Sequence, residues 1–570
     1  MAPGTVARRL RYNCRVPGGP PARAVATIAL GAGLALALLG PATVALAGPS
    51  PQRTVRIRVA AAGEPNGPST EPALSADGRR VAFTSAATNL TTVDGAAGPD
   101  AGGVAAPRGV FVYDQATGAV QLASAGPGGA AADGSSREPV LDAHGGNLAF
   151  TSSATNLVTG DANRFSDVFV LAAQAGIMRA SVAAGGEEAN GPSSAPDLSE
   201  NGRTLVFTSS ADNLVPDDTN ELDDVFVRDL VSGAIALVSG GRGEPSDGDS
   251  AAPAISPDGR FVSFSSDATN LVAGDDNSEA DVFVVDLARG RTKLISVARG
   301  GGGQNASRSG GRPIASDLSR DGRLVVFESD ATNLAGRDRN RRTDIFVRDT
   351  ERGTTRRVSL STTNEEAGSG SYLPTITPDG RYVAFGSRAN DLVAEDAQGP
   401  DAFVRDIARE TTVLVDVTSR GRLRGREAAV PAPVGPSLSA DGATAAFVSS
   451  AANLAGGDRN RVADVFLRRL TPAASAMAVR RVGLVDGRLL IDFRSSDRAP
   501  SPLQCRLDGG PATLCPLGGL LLPKLSRGTH VLRALAGALG AHYARRPIVI
   551  RMKIGTGRPT VRVHNPGDQL

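Results

Sequence analysis

A turn of the form Ser/Thr-x-Asp/Asn-Gly recurs along the chain with a period of about sixty residues. Its seven glycines are Gly78, Gly145, Gly202, Gly259, Gly322, Gly380 and Gly442. In the second copy His144 replaces the acidic residue of the turn. Repetition at a fixed period indicates units that cannot bury their own apolar face and must stack against neighbours. The repeat therefore predicts a ring or array built from seven similar units.

Two columns of phenylalanine keep register with the turn glycine. The first column lies five residues after the glycine and contains Phe83, Phe150, Phe207, Phe264, Phe327, Phe385 and Phe447. The second column lies in a run such as Asp-Val-Phe-Val and contains Phe111, Phe169, Phe226, Phe283, Phe346, Phe403 and Phe466. The chain has 17 phenylalanines and no tryptophan, so these columns hold most of its aromatic volume. We expect both columns to form the core between adjacent units.

Each unit contains short runs of β-branched and aromatic residues bounded by turn residues. The second unit has such runs at Pro139–Leu141, Asn147–Phe150, Asp167–Val170 and Ile177–Val182. No helical period is sustained within the repeats. The pattern predicts an all-β fold, a seven-bladed β-propeller in which every blade is a four-stranded antiparallel sheet.

The repeat motifs resemble those of the TolB-like, WD-repeat-like propeller family. The family's Ser-Pro-Asp-Gly turn is matched by Ser256–Gly259 and Thr377–Gly380, and its Asp-Ile-Tyr-Val strand by Asp281–Val284 and Asp401–Val404. The resemblance covers roughly residues 50–474. It implies the propeller fold, and it leaves function open, because such propellers include partner-binding platforms and gates on peptidases.

The ends of the repeat array predict how the ring closes. Thr54–Ala60 matches the fourth strand of a unit but precedes the first turn and has no unit of its own. We expect this strand to complete the last blade, whose third strand is Asp464–Leu467. The alternative donor is Ala478–Val485, which would leave the N-terminal strand as an exposed edge that proteins usually avoid.

Residues 1–47 are typical of a secretory signal peptide. They contain five arginines and no acidic residue, followed by an apolar Ala/Leu stretch and Ala45-Leu46-Ala47. Cleavage near Ala47 would place the mature chain outside the cytoplasm, in the periplasm or on the cell surface or released. The apolar stretch is short for a membrane span and contains Gly40-Pro41, so we expect no transmembrane segment in the mature chain.

Residues 475–570 lack the turn repeat and form a separate predicted module. Cys505 and Cys515 are the cysteines that remain after loss of residues 1–47, and in an exported chain they are expected to form a disulfide. The surrounding residues, with Gly528–Ala534, resemble a bacterial immunoglobulin-like domain. The resemblance implies a small, disulfide-bonded β-sandwich after the propeller of residues 48–474.

Charge divides the chain at the same boundary. Residues 475–570 hold 15 Lys and Arg against 5 Asp and Glu, whereas residues 48–474 hold 41 against 54. A basic module favours attachment to anionic envelope polymer or lipid headgroups. The alternatives are that it docks on the acidic propeller or that arginine only aids solubility.

The loop between the second and third strands, here called the acidic loop, carries the most chemically suggestive pattern. In five units Asp, Asn and Asp stand sixteen, eighteen and twenty-two residues after the turn glycine. The predicted calcium ligands are Asp161, Asn163 and Asp167; Asp218, Asn220 and Asp224; Asp275, Asn277 and Asp281; and Asp458, Asn460 and Asp464. Carboxylate and amide oxygens are the ligands that Ca²⁺ prefers. Asx turns that bind their own backbone are the alternative.

The fifth unit has the same pattern at Asp338, Asn340 and Asp344, but four arginines crowd its loop: Arg337, Arg339, Arg341 and Arg342. Guanidinium groups raise the cost of placing a dication nearby. We therefore expect the acidic loop of the fifth unit to bind no calcium.

The sequence offers no catalytic constellation. It contains four histidines, no zinc-type His/Cys spacing, no Gly-x-Ser-x-Gly motif and no phosphate-binding glycine loop. Its many carboxylates repeat in register, whereas catalytic pairs are singular features. An acidic ring without a basic aromatic stripe argues against nucleic-acid binding. We predict no catalytic residue, no enzyme activity and no cofactor other than calcium.

These observations predict a secreted, monomeric, non-enzymatic propeller scaffold that binds a protein or a cell-envelope polymer, with a basic module that attaches it to the cell surface. Two alternatives remain. One is a calcium-stabilised structural exoprotein, and the other is a carbohydrate-active propeller enzyme.

Overall fold

The computed structural model describes residues 54–564 with short gaps. The gaps are residues 58–63, 92–106, 174, 241–243, 276, 278, 299–313, 337, 395–398, 420–422, 424–434, 457, 461, 471–476, 486–487, 496–502, 509–512, 516–519, 537–547 and 555–558. The predicted signal peptide, residues 1–47, lies outside the described residues. Within them the chain is almost entirely β, with a single 3₁₀ turn at Pro127–Gly129. No helix in this part of the chain is long and apolar enough to cross a membrane.

Seven four-stranded antiparallel sheets form the blades, as the sequence predicts. The first four are blade 1 with β2 (Ser69–Leu74), β3 (Arg80–Ser85), β4 (Gly109–Asp114) and β5 (Val120–Leu122); blade 2 with β6 (Ser136–Leu141), β7 (Asn147–Ser152), β8 (Asp167–Ala172) and β9 (Gly176–Arg179); blade 3 with β10 (Ser193–Leu198), β11 (Thr204–Ser209), β12 (Asp224–Asp229) and β13 (Ile235–Leu237); and blade 4 with β14 (Ser250–Ile255), β15 (Phe261–Ser266), β16 (Asp281–Asp286) and β17 (Arg291–Leu294).

The remaining three blades follow in chain order. They are blade 5 with β18 (Ser316–Leu318), β19 (Leu324–Ser329), β20 (Asp344–Asp349) and β21 (Thr354–Arg357); blade 6 with β22 (Ser371–Ile376), β23 (Tyr382–Ser387), β24 (Asp401–Asp406) and β25 (Thr411–Leu414); and blade 7 with β26 (Ser437–Leu438), β27 (Thr444–Ser449), β28 (Asp464–Arg469) and the N-terminal strand β1 (Thr54–Arg56).

The N-terminal strand closes the ring. Thr54 pairs with Arg468 and Arg56 pairs with Phe466, so β1 is the fourth strand of blade 7. The expected closure is confirmed. The rival donor, Met477–Val485, pairs instead with a strand of the C-terminal module. Joining the two ends of the array in one sheet covers the edge of β28 with backbone hydrogen bonds.

The phenylalanine columns form a stacked pair inside every blade. The two ring centroids of a blade are 5.6–5.9 Å apart and the ring planes differ by 20–29°. These rings are at most 2% exposed. In blade 3 the pair, Phe207 and Phe226, packs with Ala149, Val168 and Val170 of blade 2. Each blade therefore buries its aromatic pair against its neighbour, which is how a short repeat obtains a core.

The turn glycines adopt backbone conformations that other residues rarely take. Their φ angles are between 63° and 77°. At Gly322 a Cβ atom would lie 2.4 Å from Cγ of Phe261 in the preceding blade, and at Gly442 it would lie 2.4 Å from Cδ2 of Tyr382. Glycine is therefore required by the left-handed conformation and by the close approach of the adjacent blade.

The described part of the C-terminal module contains two sheets. The first holds β29 (Met477–Val485), β30 (Arg488–Ser495) and β33 (Leu520–Leu521); the second holds β31 (Leu503–Leu507), β32 (Thr513–Cys515), β34 (Gly528–Ala536), β35 (Ile548–Ile554) and β36 (Thr560–His564). Ile491 of the first sheet shares a core with Leu532 and Ile550 of the second. Cys505 faces Thr513 and Cys515 faces Leu503 on adjacent strands. The disulfide and the immunoglobulin-like assignment stay predictions.

Candidate functional site

The acidic loop ends where the third strand of a blade begins. In blade 2 the last loop residue, Asp167, is the first residue of β8 and is fully buried. Its Oδ1 accepts a hydrogen bond of 2.6 Å from Oγ of Ser181, and that hydroxyl oxygen accepts one of 3.0 Å from the backbone N–H of Val168. Asn163 Nδ2 donates to Asp167 Oδ2 over 3.2 Å. The aspartate thus joins its own loop to the end of the fourth strand.

A guanidinium group occupies the acidic loop of blade 2. Arg179, the last residue of β9, places Nη1 3.2 Å from Asp161 Oδ1, 3.4 Å from Asp167 Oδ2 and 2.6 Å from Glu188 Oε1. The Arg179 side chain is 8% exposed and that of Asp161 is 3% exposed. One internal cation therefore faces three acids, and two of these acids are among the predicted calcium ligands. An ion pair of this kind offsets the free-energy cost of burying a carboxylate.

Blade 7 repeats this arrangement with an arginine from the other end of the ring. Arg56 of β1 contacts Asp458 and Asp464 at 3.0 Å each through Nη1, and Glu64 at 3.5 Å through Nη2. The Arg56 side chain is 1% exposed. The loop ligands and their cation are separated by about four hundred residues in sequence and meet only because the N-terminal strand closes the ring.

Blade 5 has the third such cluster. Oxygen atoms of Asp338, Asp344 and Glu366 lie within 4.8 Å of one another, a spacing that could hold a metal ion. Arg357 of β21 lies among them, 3.3 Å from Asp344 and 3.9 Å from Asp338, and also pairs with Glu366. Its guanidinium also lies 5.7 Å from the centre of the Phe346 ring.

The arginines that the sequence emphasised in the blade 5 loop play a different part. Arg341 and Arg342 are exposed, and their backbone N–H groups donate to Asp338 Oδ1 and Asn340 Oδ1 respectively. The cation among the carboxylates is Arg357, which lies outside the loop. Our reason for expecting no calcium in this blade therefore named the wrong arginines.

Blade 3 has the same strand pairing, but no cation contacts its acidic loop among the residues that the structure describes. Leu237 faces Phe226 across β12 and β13, at the position where Arg179 faces Phe169 in blade 2. Pro245 stands at the position that Glu188 has in blade 2. The correspondence is shown by a hydrogen bond that the backbone carbonyl of each residue accepts from the asparagine 25 residues later. Blade 3 therefore lacks both the arginine and the third acid.

Two carboxylate oxygens of blade 3 are buried without a partner. Asp218 is 5% exposed and Asp224 is fully buried, and neither Asp218 Oδ1 nor Asp224 Oδ2 has a hydrogen-bond partner. Asp224 Oδ1 accepts hydrogen bonds from Ser239 and, at 2.9 Å, from Ser246. Burial, together with the nearby charge of Asp224, raises the pKa of Asp218 to about 6. Native proteins rarely leave buried polar atoms unpaired, so we expect a bound cation or a bound proton at these two oxygens.

Blade 4 is intermediate between blades 2 and 3. Leu294 takes the arginine position, as in blade 3. Both oxygens of Asp281 accept hydrogen bonds, from Ser296 at 2.5 Å and from Asn277 at 2.9 Å. Burial raises the pKa of Asp281 to about 7. Because its carboxylate is satisfied within the protein, blade 4 has less need of an added cation than blade 3.

A cleft of about 900 Å³ lies beside blades 5 and 6 and is lined by Arg348, Arg356 and Arg405. Glu410 is the one acidic residue among its described lining residues. Arg405 is buried, and its Nη1 donates to the carbonyl groups of Leu360 and Ser361 at 3.1 and 3.2 Å. The cleft therefore contains no pair of carboxylates for acid–base catalysis within the described residues.

The described histidines do not complete a catalytic site. The His144 side chain is 85% exposed, with Nδ1 3.6 Å from Asp77 Oδ2. His530 in the C-terminal module contacts Asp508 through Nδ1 at 2.6 Å and the carbonyl of Ser526 through Nε2 at 2.9 Å. Both nitrogens of His530 are thus already engaged.

Sequence reasoning found the acidic loops but missed their arginines. Arg179 follows Asp161 by eighteen residues, and Arg56 precedes Asp464 by about four hundred. The available signal was that the position facing the second phenylalanine of a blade holds either arginine or leucine. This position can be recognised only once the strands have been paired.

The chain is similar to several solved structures at low sequence identity and at TM-scores below 0.5. An oligogalacturonate lyase from Vibrio parahaemolyticus is 12% identical with a TM-score of 0.43, over 74% of this chain and 94% of the lyase. The propeller domain of the Trilobed protease from Pyrococcus furiosus is 10% identical with a TM-score of 0.42, over 70% and 95%. A putative TolB from Agrobacterium tumefaciens is 16% identical with a TM-score of 0.32, over 63% and 99%. No family model matches the chain, and no curated protein matches it in sequence.

The prediction of a non-enzymatic binding scaffold is wrong as we stated it. The similar solved structures include a lyase and peptidases, such as an acylaminoacyl peptidase from Pyrococcus horikoshii, besides WD40 repeats and the putative TolB. A propeller fold does not by itself decide between catalysis and binding. The sequence argument also assumed that acids in register are equivalent, whereas blades 2 and 3 differ in charge and pairing. The structure itself shows a propeller of seven four-stranded antiparallel blades.

Proposed function

We propose that the protein is a structural propeller of the extracytoplasmic space whose ring is stabilised by calcium bound in blade 3. The observation that carries the proposal is the pair of buried, unpartnered oxygens, Asp218 Oδ1 and Asp224 Oδ2. In the arginine-containing blades the equivalent carboxylates contact a cation of the protein itself.

The physical reason is the cost of burying charge. An ionised carboxylate taken out of water without a partner costs several kcal/mol, which a stable fold must offset or avoid. A divalent cation offsets two carboxylates at once. Ca²⁺ accepts irregular shells of six to eight oxygens, so Asp218 and Asp224 could be completed by hydroxyl groups such as that of Ser246, by carbonyls and by water.

The proposed location suits such a site. Residues 1–47 favour export, and extracellular calcium modules commonly have dissociation constants of about 10⁻⁴–10⁻³ M. Two carboxylates provide few charged ligands for calcium, which is consistent with an affinity in that range.

Thermal unfolding of the purified protein in EDTA, in CaCl₂ and in MgCl₂ tests the proposal. We expect the unfolding midpoint to rise by several degrees in calcium, because calcium at a hundredfold excess over its dissociation constant stabilises the folded state by about 2.7 kcal/mol. Magnesium should act more weakly, since it demands a regular octahedral shell. Identical midpoints in EDTA and calcium, with no heat of binding in a calcium titration, would overturn the proposal.

A further inference from the structure

We propose that one residue selects the cation of each acidic loop, namely the residue at the end of the fourth strand that faces the second phenylalanine of the blade. Where this residue is arginine, its guanidinium is the cation that pairs with the buried carboxylates. In blade 3 the residue is leucine, and the carboxylates depend on a bound divalent cation. This inference rests on the proposed function and extends it, because it states which blades bind calcium and why.

The first support is that the arginine and a glutamate occur together. Each of the three arginine blades has a Glu that contacts the guanidinium: Arg179 with Glu188, Arg357 with Glu366, and Arg56 with Glu64. Blade 3 has Leu237 and Pro245 at these two positions. Arginine and glutamate therefore form one unit that is present or absent as a whole.

The second support is geometric. A single nitrogen, Nη1 of Arg179, lies within 3.4 Å of Asp161, Asp167 and Glu188, so the carboxylate oxygens of blade 2 converge on one cationic atom. The strand register of blade 3 is the same, with Asp224 opposite Ser209 as Asp167 is opposite Ser152. The backbone therefore presents the second loop aspartate in the same way in both blades, while the arginine and the glutamate of blade 2 are replaced by Leu237 and Pro245.

The third support is charge. In blade 2 three carboxylates share one guanidinium, whereas no described cation contacts the carboxylates of Asp218 and Asp224 in blade 3. One divalent cation would neutralise that pair completely. Leucine at position 237 provides no charge and no hydrogen-bond donor, so it cannot replace the guanidinium.

Blade 3 is tested by Leu237→Arg, with Leu237→Met as the matched uncharged control. L237R places a guanidinium beside Asp224, and we expect it to weaken calcium affinity at least tenfold and to abolish the calcium-dependent shift of the unfolding midpoint. L237M should retain both. In EDTA, L237R should unfold at or above the midpoint of the wild-type protein.

Blade 2 provides the reverse test, which does not depend on L237R folding. Arg179→Leu leaves the buried Asp161 and Asp167 and the partly exposed Glu188 without a cation. We expect this variant to bind one more calcium ion per chain than the wild-type protein and to be destabilised in EDTA. Arg179→Lys keeps a positive charge and should bind no additional ion.

The outcomes separate this inference from the proposed function. If wild-type protein binds no calcium but R179L does, the selection by arginine stands and the proposed function of blade 3 fails. If wild-type protein binds calcium, while L237R binds it equally well and R179L gains no site, the selection is overturned and calcium stabilisation remains. If neither wild-type nor R179L protein binds calcium, both the proposed function and the selection by arginine are overturned.

Discussion

Blades 2 and 3 have nearly the same architecture and opposite electrostatic arrangements. Their phenylalanine pairs have centroid distances of 5.9 and 5.8 Å with interplanar angles of 24° and 25°. Each also joins its first and second strands by a 2.9 Å serine–serine hydrogen bond. Yet the buried acids of blade 2 contact Arg179, whereas blade 3 has Leu237 at that position and no described cation contacts its acids. Repetition thus maintains the apolar core while single positions set the charge of each loop.

This difference follows from how the two kinds of interaction act. Apolar packing is additive over many contacts and changes little when one rim residue changes. A buried carboxylate depends on one or two specific partners. Replacing Arg179 by the leucine of blade 3 therefore removes the electrostatic stabilisation of the buried carboxylates. Repeat units can therefore share a fold and differ in ligand binding.

The largest expected effect tests whether blades 2 and 3 have equivalent apolar cores. Phe169→Ala and Phe226→Ala each empty a fully buried ring position, and each should lower the free energy of unfolding by about 3–5 kcal/mol. The two losses should agree within about 1 kcal/mol, since the two ring pairs stack alike and the rings differ mainly in their cross-strand partner, Arg179 or Leu237. Chemical denaturation measures both, with the 40% exposed Phe165→Ala as a control expected to change stability by at most about 0.5 kcal/mol. Clearly unequal losses would mean that the cores of the two blades are not equivalent.

The next effect tests the electrostatic difference between the acidic loops of blades 2 and 3. Asp167→Asn removes a carboxylate that contacts Arg179, and we expect it to destabilise the protein by about 2 kcal/mol. Asp224→Asn removes an unpartnered charge, so in EDTA it should be neutral or stabilising by up to about 1 kcal/mol. In calcium the same variant should lose the stabilisation that wild-type protein gains. Equal destabilisation by both substitutions in EDTA would show that the charge of Asp224 is already compensated.

The smallest effect concerns the first strand, where blade 2 has Val140 and blade 3 has Asp197 at corresponding positions. Burial raises the pKa of Asp197 to about 7; the hydrogen bond from the N–H of Ile255 opposes this, and the charge of Asp317 adds to it. The folded state then binds a proton more tightly than the unfolded chain, whose aspartate pKa is about 4. Stability from this group is complete below about pH 4 and is lost as pH rises to about 7.

Asp197→Asn removes this titration and keeps an oxygen to accept the hydrogen bond from Ile255. Because Asp197 is partly exposed, we expect the loss of stability between pH 5 and pH 8 to shrink by roughly 1–2 kcal/mol, less than a three-unit pKa shift implies. Denaturation across this pH range in EDTA measures it. The exposed Glu187→Gln serves as the control variant, and an unchanged profile in D197N would refute the assignment to Asp197.

Much of the fold could be predicted because its signals are local and repeated. The glycine of each turn motif indicates a positive φ directly. The two phenylalanine columns indicate which strands carry the buried aromatic rings. Closure by β1 could be predicted because Thr54–Arg56 matches a fourth strand that lacks its own blade. These features depend on residue type and spacing, which a sequence states explicitly.

The candidate site could be predicted only in part. The aspartates of the acidic loops were visible, but whether each is paired depends on Arg179, Arg357 and Arg56, which reach the loops from other strands. For blade 7 the arginine belongs to the opposite end of the repeat array. Sequence spacing also directed attention to Arg341 and Arg342, whose side chains are exposed.

The sequence by itself determined the number of blades, their strand order and their aromatic core, because apolar periodicity and turn chemistry act over a few residues. The tertiary structure alone decided which buried acids have a cation and which do not. Electrostatic energy depends on distances of a few ångströms between groups such as Arg56 and Asp464, and those distances exist only after the ring has closed.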